Sequence, residues 1–532
     1  MSIDQQTETL PYIPTAGLLD KERTVASASF NRWLVPPAAL AIHLSIGMAY
    51  GFSVFWLPLS RELGVPVSKL GWTYTLFFVF LGSAAAIFGH WLERAGPRKA
   101  GVVAALCWCG GLLISAFGVY SHQIWLLWLG SGVIGGIGLG LGYISPVSTL
   151  IKWFPDRRGV ATGLAIMGFG GGAMIGAPLA DRLMNLFASE ASAGVWQTFV
   201  ALAVIYFISM MLGAFGYRLP PPGWQPPPGA VKKEKTLVTS AHVHVNTAIR
   251  TSQFWLLWGV LCLNVSAGIG VIGMASPMLQ EVFGGQLIAI PARLAQLAEA
   301  QRAQVATIAA AFAGLLSLFN IAGRIAWASA SDVFGRKLTY TIFFLLGFAL
   351  YISAPIAGEA GRIGFFVVIF CVILTMYGGG FATVPAYLAD LFGTQHVGAI
   401  HGRLLTAWSV AGILGPVVVN YIRESQLARG VPAHQAYNVT MYVLAGMLLL
   451  GLLCNLLIRP VDPKHHMTEE QLAKERAAAP ARPSSSATGT VSNLTPATAS
   501  NPALLVLAWV AVGLPLAWGG WVTLSKALVL FK

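Results

Sequence analysis

The chain has 532 residues, 56% of them hydrophobic and only 10% charged, with 59 glycines and 17 tryptophans. Soluble domains carry about 25% charged residues, so an ordinary soluble fold is excluded and a polytopic membrane protein is expected. The net charge of +13 does not call for a nucleic acid, because basic loops facing an anionic leaflet account for it.

The stretch 1–34 is polar and acidic at its start, with no basic region leading into a short apolar core, so no cleaved signal peptide is expected. Apolar segments of bilayer-spanning length follow near 35–59, 71–92, 101–119, 124–149, 159–180 and 195–217. These form a first six-helix unit, 35–217. Barrel strands are too short and too alternating to give such runs. Residues 218–250 are Pro-rich and then basic, a stiff linker by composition. Its HVH pair, His242 and His244, has no carboxylate or Cys nearby in sequence, and two such residues do not make a metal site. Six more spans lie near 253–280, 303–330, 338–357, 363–388, 404–422 and 436–458, giving a second unit, 251–458. Residues 459–501 turn Ala/Ser/Thr/Pro-rich and read as a flexible tether. The last segment, 502–532, holds a thirteenth span near 503–525 with Pro515 inside it, expected to be peripheral or stabilising rather than part of a substrate path.

All five cysteines, Cys107, Cys109, Cys262, Cys371 and Cys454, fall inside apolar spans, against a disulfide framework or a zinc cage. With the N-terminus placed inside, 22 Lys and Arg fall on the inner side and 10 on the outer. The positive-inside rule then puts the N-terminus in the cytoplasm, and the C-terminus outside if the thirteenth span inserts.

The two units echo each other. Pro146, Phe154, Gly163 and Pro178 stand 8, 9 and 15 residues apart, and Pro385, Phe392, Gly402 and Pro416 stand 7, 10 and 14 apart. A second echo pairs GHWLERAGPRKAG after span 2 with ASASDVFGRK after span 8. Two echoes at matching places imply a duplicated six-helix unit, an architecture typical of secondary transporters with a midplane site between halves.

Arg324 is the leading functional residue. It lies within an apolar segment, where a charge on an isolated helix costs between ~3 and ~17 kcal/mol, and it precedes Asp332 by about 12 Å along a helix axis. Such a side chain must face a bundle interior or a wet cavity. Its guanidinium offers a planar fork for a carboxylate, and Asn320 shares its helical face at i, i+4 spacing. The competing reading pairs Arg324 with an acid across the bundle, Glu281 or Asp390. A GxGxxG-like run at 135–142 lies within a span, with no strand before it, so it reads as close helix packing rather than dinucleotide binding.

The loop echoes resemble the major facilitator superfamily, through Gly89, Glu93, Arg94, Gly96, Arg98 and Lys99, and through Asp332, Gly335, Arg336 and Lys337. Pro97 is inserted in the first copy, and Ala328 replaces the usual Gly in the second. Within that superfamily, the stretch around KWFPDRRG looks like the oxalate/formate antiporter family, relatives of the monocarboxylate transporters. The resemblance spans about 35–458. The last helix is similar to a small accessory protein that accompanies some such transporters.

The resemblance implies an all-α membrane protein of two six-helix pseudo-symmetric bundles plus one additional C-terminal transmembrane helix. It implies that Glu93, Arg94, Arg98, Asp156, Arg157, Asp332 and Arg336 serve gating. It further implies that Arg324 binds the substrate carboxylate, with Tyr50, Tyr143 and Tyr377 lining the cavity. Trp408, on the helix repeat-related to that of Phe169, is a candidate wall of the cavity, with core packing as its alternative role. Oxalate exchangers of the family add a Lys on the eleventh helix, whereas 404–422 has no Lys or Arg. One buried cation suits a monocarboxylate such as lactate, pyruvate, formate or glycolate.

Proton coupling has little to draw on. No Asp or Glu falls in the middle of an expected span, Asn320 stands where relatives tend to have an acid, and His43 is the one group with an ordinary pKa near neutrality, with helix packing as its alternative role. Proton symport and anion exchange both stay open. Drug efflux by proton antiport wants an intramembrane carboxylate, an anion sensor wants an output domain, and an enzyme wants converging nucleophile, acid or metal groups. No cofactor, metal or nucleic-acid partner is expected, only a small carboxylate substrate and the bilayer of a bacterial inner membrane, with the monomer as the working unit.

Overall fold

The computed structural model describes residues 17–27, 29–154, 158–190, 192–221, 224, 242–393, 396–472 and 502–531, without the side chains of 90, 93, 151, 158–162, 164 and 165. Among the described residues there is no strand beyond two isolated bridges, and twelve helices are long and apolar enough to cross a membrane. One more helix, Arg158–Phe187, stands between the fourth and fifth of these. In chain order we name α1 (Arg32–Leu63), α2 (Val67–Ala95), α3 (Pro97–Tyr120), α4 (Ile124–Leu150), α5 (Arg158–Phe187) and α6 (Val195–Gly216). The second half holds α7 (Ser252–Gly273), α8 (Glu299–Phe334), α9 (Arg336–Glu359), α10 (Ile363–Phe392), α11 (Val397–Ala428) and α12 (Ala433–Leu457), and α13 (Pro502–Phe531) closes the chain.

Local chemistry sets the corners. Gly96 (φ 85°, ψ 161°) alone joins α2 to α3, and Gly335 (φ 86°, ψ 150°) alone joins α8 to α9. That region of backbone space is essentially open to glycine only, so the two echoed loops share one conformation. Thr251 caps α7 by accepting from Phe254 N at 3.3 Å. Pro146, Pro178, Pro385 and Pro416, the echoed prolines, lie inside helices, which a bilayer tolerates where neighbouring helices cover the freed backbone groups.

Small residues bring the helices together. Gly136 and Gly140 of the GGIGLGLG run face α2, and Gly138 faces α3, where a Cβ would strike Trp108 N at 2.5 Å. The run is therefore a packing surface. Gly47 and Gly172 weld α1 to α5, and Gly323 meets the Thr375 backbone to weld α8 to α10.

On the face opposite Gly96 and Gly335 the halves touch through scattered contacts. Trp56 Nε1 donates to Gly273 O (2.6 Å), Trp72 Nε1 to Tyr421 OH (3.0 Å) and Ser68 N to Glu424 Oε1 (3.4 Å), and Arg61 pairs with Glu299 at 3.1 Å. The additional helix lies outside the bundles against α1, α5 and α8, with Leu507, Leu514 and Trp521 exposed.

A methyl group on Gly335 would meet nothing within 4 Å, so Gly335→Ala isolates backbone strain of about 1–3 kcal/mol. A lowered melting temperature in detergent is expected, whereas Gly398→Ala, equally unobstructed but within the helix Val397–Leu404, should hold or raise it.

Candidate functional site

α8 crosses the seam between the halves and carries Asn320 and Arg324, 0% and 2% exposed. Arg324 Nε donates to Asn320 Oδ1 at 3.2 Å, which fixes the orientation of the amide, since its nitrogen cannot accept. Facing α8 is the bare backbone of α5. Ser317 donates to Gly170 O, and a Cβ on Gly170 would come within 2.9 Å of Arg324 Nε. Glycine at 170 thus makes room for the guanidinium.

Aromatic side chains from five helices enclose this point. Arg324 lies 5.6 Å from the ring centroid of Phe381, a cation–π distance. Phe381 packs on Trp408 (4.5 Å) and Tyr377 (5.4 Å), and Trp408 meets Tyr143 (5.3 Å) and Phe169 (5.7 Å) edge to face. Tyr50 meets Phe169 at 5.0 Å. The Tyr50 and Tyr377 hydroxyls share a 2.8 Å hydrogen bond across the seam. The guanidinium charge acts on Tyr50, Tyr143 and Tyr377, and Tyr50 approaches it without completing a hydrogen bond of normal geometry.

What is left unsatisfied defines the chemistry. Arg324 Nη1 and Nη2, Asn320 Nδ2 and Trp408 Nε1 are buried with no hydrogen-bond partner among the described residues. All four are donors. Buried polar groups are nearly always satisfied, so a cluster of unmatched donors around a cation is complementary to an anionic acceptor.

The acids proposed above as rivals for Arg324 are engaged elsewhere. Glu281 accepts from Arg423 through Nε (2.8 Å) and Nη2 and from the Tyr437 hydroxyl (2.8 Å), while Asp390 stands 3.7 Å from Arg336. Arg423 lies on α11 just beyond the stretch expected to lack cations, and Glu281 neutralises it.

Six of the residues expected from the sequence, Arg324, Asn320, Tyr50, Tyr143, Tyr377 and Trp408, thus meet in one place. Phe381 and Phe78, which stacks on Tyr50 at 6.0 Å, were not foreseen, because a phenylalanine in an apolar run carries no signal of its own. His43 stands one layer behind. Its Nε2 donates to Tyr143 O at 3.1 Å and its ring stacks on Tyr143 at 5.6 Å.

The residues assigned to gating hold helix ends within a half. Arg336 pairs with Asp332 and donates to Ser331, and Arg98 donates to Leu18 O at 2.9 Å and lies over Phe215. Arg94 is exposed; the side chain of Glu93, and Asp156 and Arg157 entirely, lie outside the described residues. The histidines of the linker gain company, with His244 5.1 Å from His396 and sharing a pocket with His465 and His466. No trio within metal-binding reach forms among the described residues.

A family model described as Major Facilitator Superfamily matches residues 38–416 and 285–531. The chain belongs to the major facilitator superfamily. It is a multi-pass membrane transporter and not an enzyme. Among similar proteins, the oxalate:formate antiporter of Oxalobacter formigenes is 26% identical over 391 residues, covering 72% of this chain and 83% of that one. Apicoplast pyruvate carrier 1 of Toxoplasma gondii is 25% identical, covering 76% of this chain and 78% of the carrier. A solved bacterial homologue of the human lysosomal transporter Spinster shares the fold, with a TM-score of 0.61 at 15% identity over 84% of this chain and 100% of that one.

Two buried arginines of this transporter are predicted to respond oppositely to removal. Arg423→Leu strands the Glu281 carboxylate and should destabilise the protein by about 3–5 kcal/mol. Arg324→Leu removes a charge with no carboxylate partner among the described residues and should leave the melting temperature unchanged or raised. Equal losses in thermal unfolding would mean that Arg324 is structural.

Proposed function

We propose that this transporter carries small monocarboxylates, of the lactate, pyruvate, formate or glycolate class, by alternating access, with Arg324 as the anion anchor. The observation that carries the reading is the set of four buried donors, two of them on Arg324, left without acceptors. A carboxylate offers two oxygens to the Nη1/Nη2 fork, and such charge-assisted pairs are roughly twice as strong as neutral hydrogen bonds. Asn320 Nδ2 then supplies a third donor, while Tyr50, Tyr143 and Tyr377 close the cavity around the organic part.

The charge count favours one carboxylate over two. Arg423 of α11, the other buried arginine of the second half, is neutralised by Glu281, so a dianion would bring one charge more than the anchor can match. Similarity to a protein named for oxalate and formate keeps oxalate/formate exchange as the second reading. The transporter is placed in a bacterial inner membrane with its N-terminus cytoplasmic and its C-terminus outside, acting as a monomer. The direct approach of the substrate to Arg324 leaves both proton symport and anion exchange available, and His43, behind Tyr143, is the candidate proton-linked group.

Uptake of labelled lactate, formate and oxalate into proteoliposomes, with and without a pH gradient, tests this. Saturable monocarboxylate uptake is expected, abolished in Arg324→Ala and reduced by about 10-fold or more in Arg324→Lys, which keeps the charge but loses the fork. A response to the pH gradient separates symport from exchange. Tight competition by oxalate would favour the second reading, and unimpaired uptake by Arg324→Ala would overturn the anchor.

A further inference from the structure

The additional helix lies along the seam between α5 and α8. Gly519 sits so close to α5 that a Cβ would meet Met174 O at 2.8 Å, and Thr523 Oγ1 donates to the same carbonyl at 3.3 Å. On the other side of Thr523 stands Gly314 of α8, where a Cβ would come within 2.5 Å of Thr523 Oγ1. Arg182 of α5 lies over the Trp518 ring at 5.2 Å.

The three helices meet at one carboxylate. Asp181 of α5 is 4% exposed. Thr307 of α8 donates to its Oδ2 at 2.9 Å, and Lys526 Nζ of α13 stands 4.0 Å from the same oxygen. Asn185, one turn further along α5, and Arg182 also act on it.

Thr307 belongs to the second half and Asp181 to the first, so any opening of the seam on this face takes Thr307 away. A buried carboxylate that loses a donor is left under-satisfied, and one that also loses a nearby cation is far worse off. Lys526 does not leave with Thr307, because α13 is tied by hydrogen bonds to α5 and α1, from Thr523 to Met174 O and from Trp509 to Trp33 O, and by its cation–π contact to α5, all in the first half. We propose that Lys526 is a positioning residue of the transport cycle, which stays with Asp181 and holds its charge when Thr307 withdraws, so that the seam can open on this face. The inference rests on the alternating-access part of the function proposed above and is independent of which acid is carried.

Full-length protein in liposomes tests it, with spin labels on Leu186→Cys and Gln304→Cys, exposed positions near the ends of α5 and α8 on this face, after replacement of the half-buried Cys107 and Cys454. The label-to-label distance needs no substrate, so it decides the proposal even if no carboxylate is transported. Lys526→Ala should deplete the long-distance population and lower the maximal rate by roughly 5- to 150-fold, the range of couplings between conformational states, with KM near that of wild type. Lys526→Arg should keep both. In an Asp181→Asn background, where no charge needs holding, Lys526→Ala should have no further effect. Equal losses in the two backgrounds would reduce Lys526 to a structural contact, and unchanged distances and rates in Lys526→Ala would overturn the proposal outright.

Discussion

A guanidinium held in a membrane-spanning bundle without a counter-charge among the described residues is the constraint around which this transporter is organised. Arg324 and Arg423 are both almost fully buried in the second half. Arg423 has a bidentate carboxylate to answer it, and Arg324 has one amide oxygen. The expense of burying Arg324 is met only in part by Asn320 and the face of Phe381, since a cation–π contact contributes about 0.5–2 kcal/mol. The remainder is what the proposed anion site would satisfy, at a place between the two halves.

Geometry around the arginine follows from what is missing as much as from what is present. Gly170 omits the side chain that would fill the guanidinium's place, and Gly378 lets α10 approach Asn320, where a Cβ would fall 2.2 Å from its carbonyl oxygen. A separate cavity of about 510 Å³ lies between α1, α5, α6 and α13. It is lined mainly by apolar groups, has Pro515 and Leu504 of the additional helix along one wall, and does not include Arg324. Its chemistry suits hydrocarbon rather than an anion.

Much of this was legible because membrane composition leaves so few choices. Runs of about 20 apolar residues can only be helices, and the echoed glycines at 96 and 335 exposed the duplication through a backbone conformation that glycine alone adopts. Arg324 and Asn320 were legible as a pair because the helical repeat puts them on one face. Asp181 was not, since the apolar run stops at Ala180 while the helix continues to Phe187. A window scored on hydropathy ends where charge begins, yet α8 and α13 bury the next turn. The Glu281–Arg423 pair was hidden for a different reason: its partners are 142 residues apart, and nothing local to either marks the other.

The distribution of interaction strength matches what alternating access would require. Inside the second half, buried polar groups are tied in networks: Glu281 with Arg423 and Tyr437, Tyr340 with Gly380 O, and Asn455 with Lys337 O and Thr341. Breaking a buried charged network costs about 3–5 kcal/mol. Across the seam the polar contacts are single hydrogen bonds, contributing about 0.5–1.5 kcal/mol net between neutral groups and about 1.5–3 kcal/mol to the carboxylates of Glu424 and Asp181, and the exposed Arg61–Glu299 pair, which adds about 0–1 kcal/mol. The Tyr50–Tyr377 bond belongs to this weak class and lies beside Arg324 itself. The named polar contacts across the seam are thus individually weaker than the charged network inside the second half, while close packing of α2 on α11 and of α5 on α8 also joins the halves; an anion of the kind proposed, bridging Arg324 to the tyrosines of both halves, would add an interaction comparable to those single hydrogen bonds. A ligand of that strength is enough to bias the seam without locking it, because the contacts it competes with are individually small.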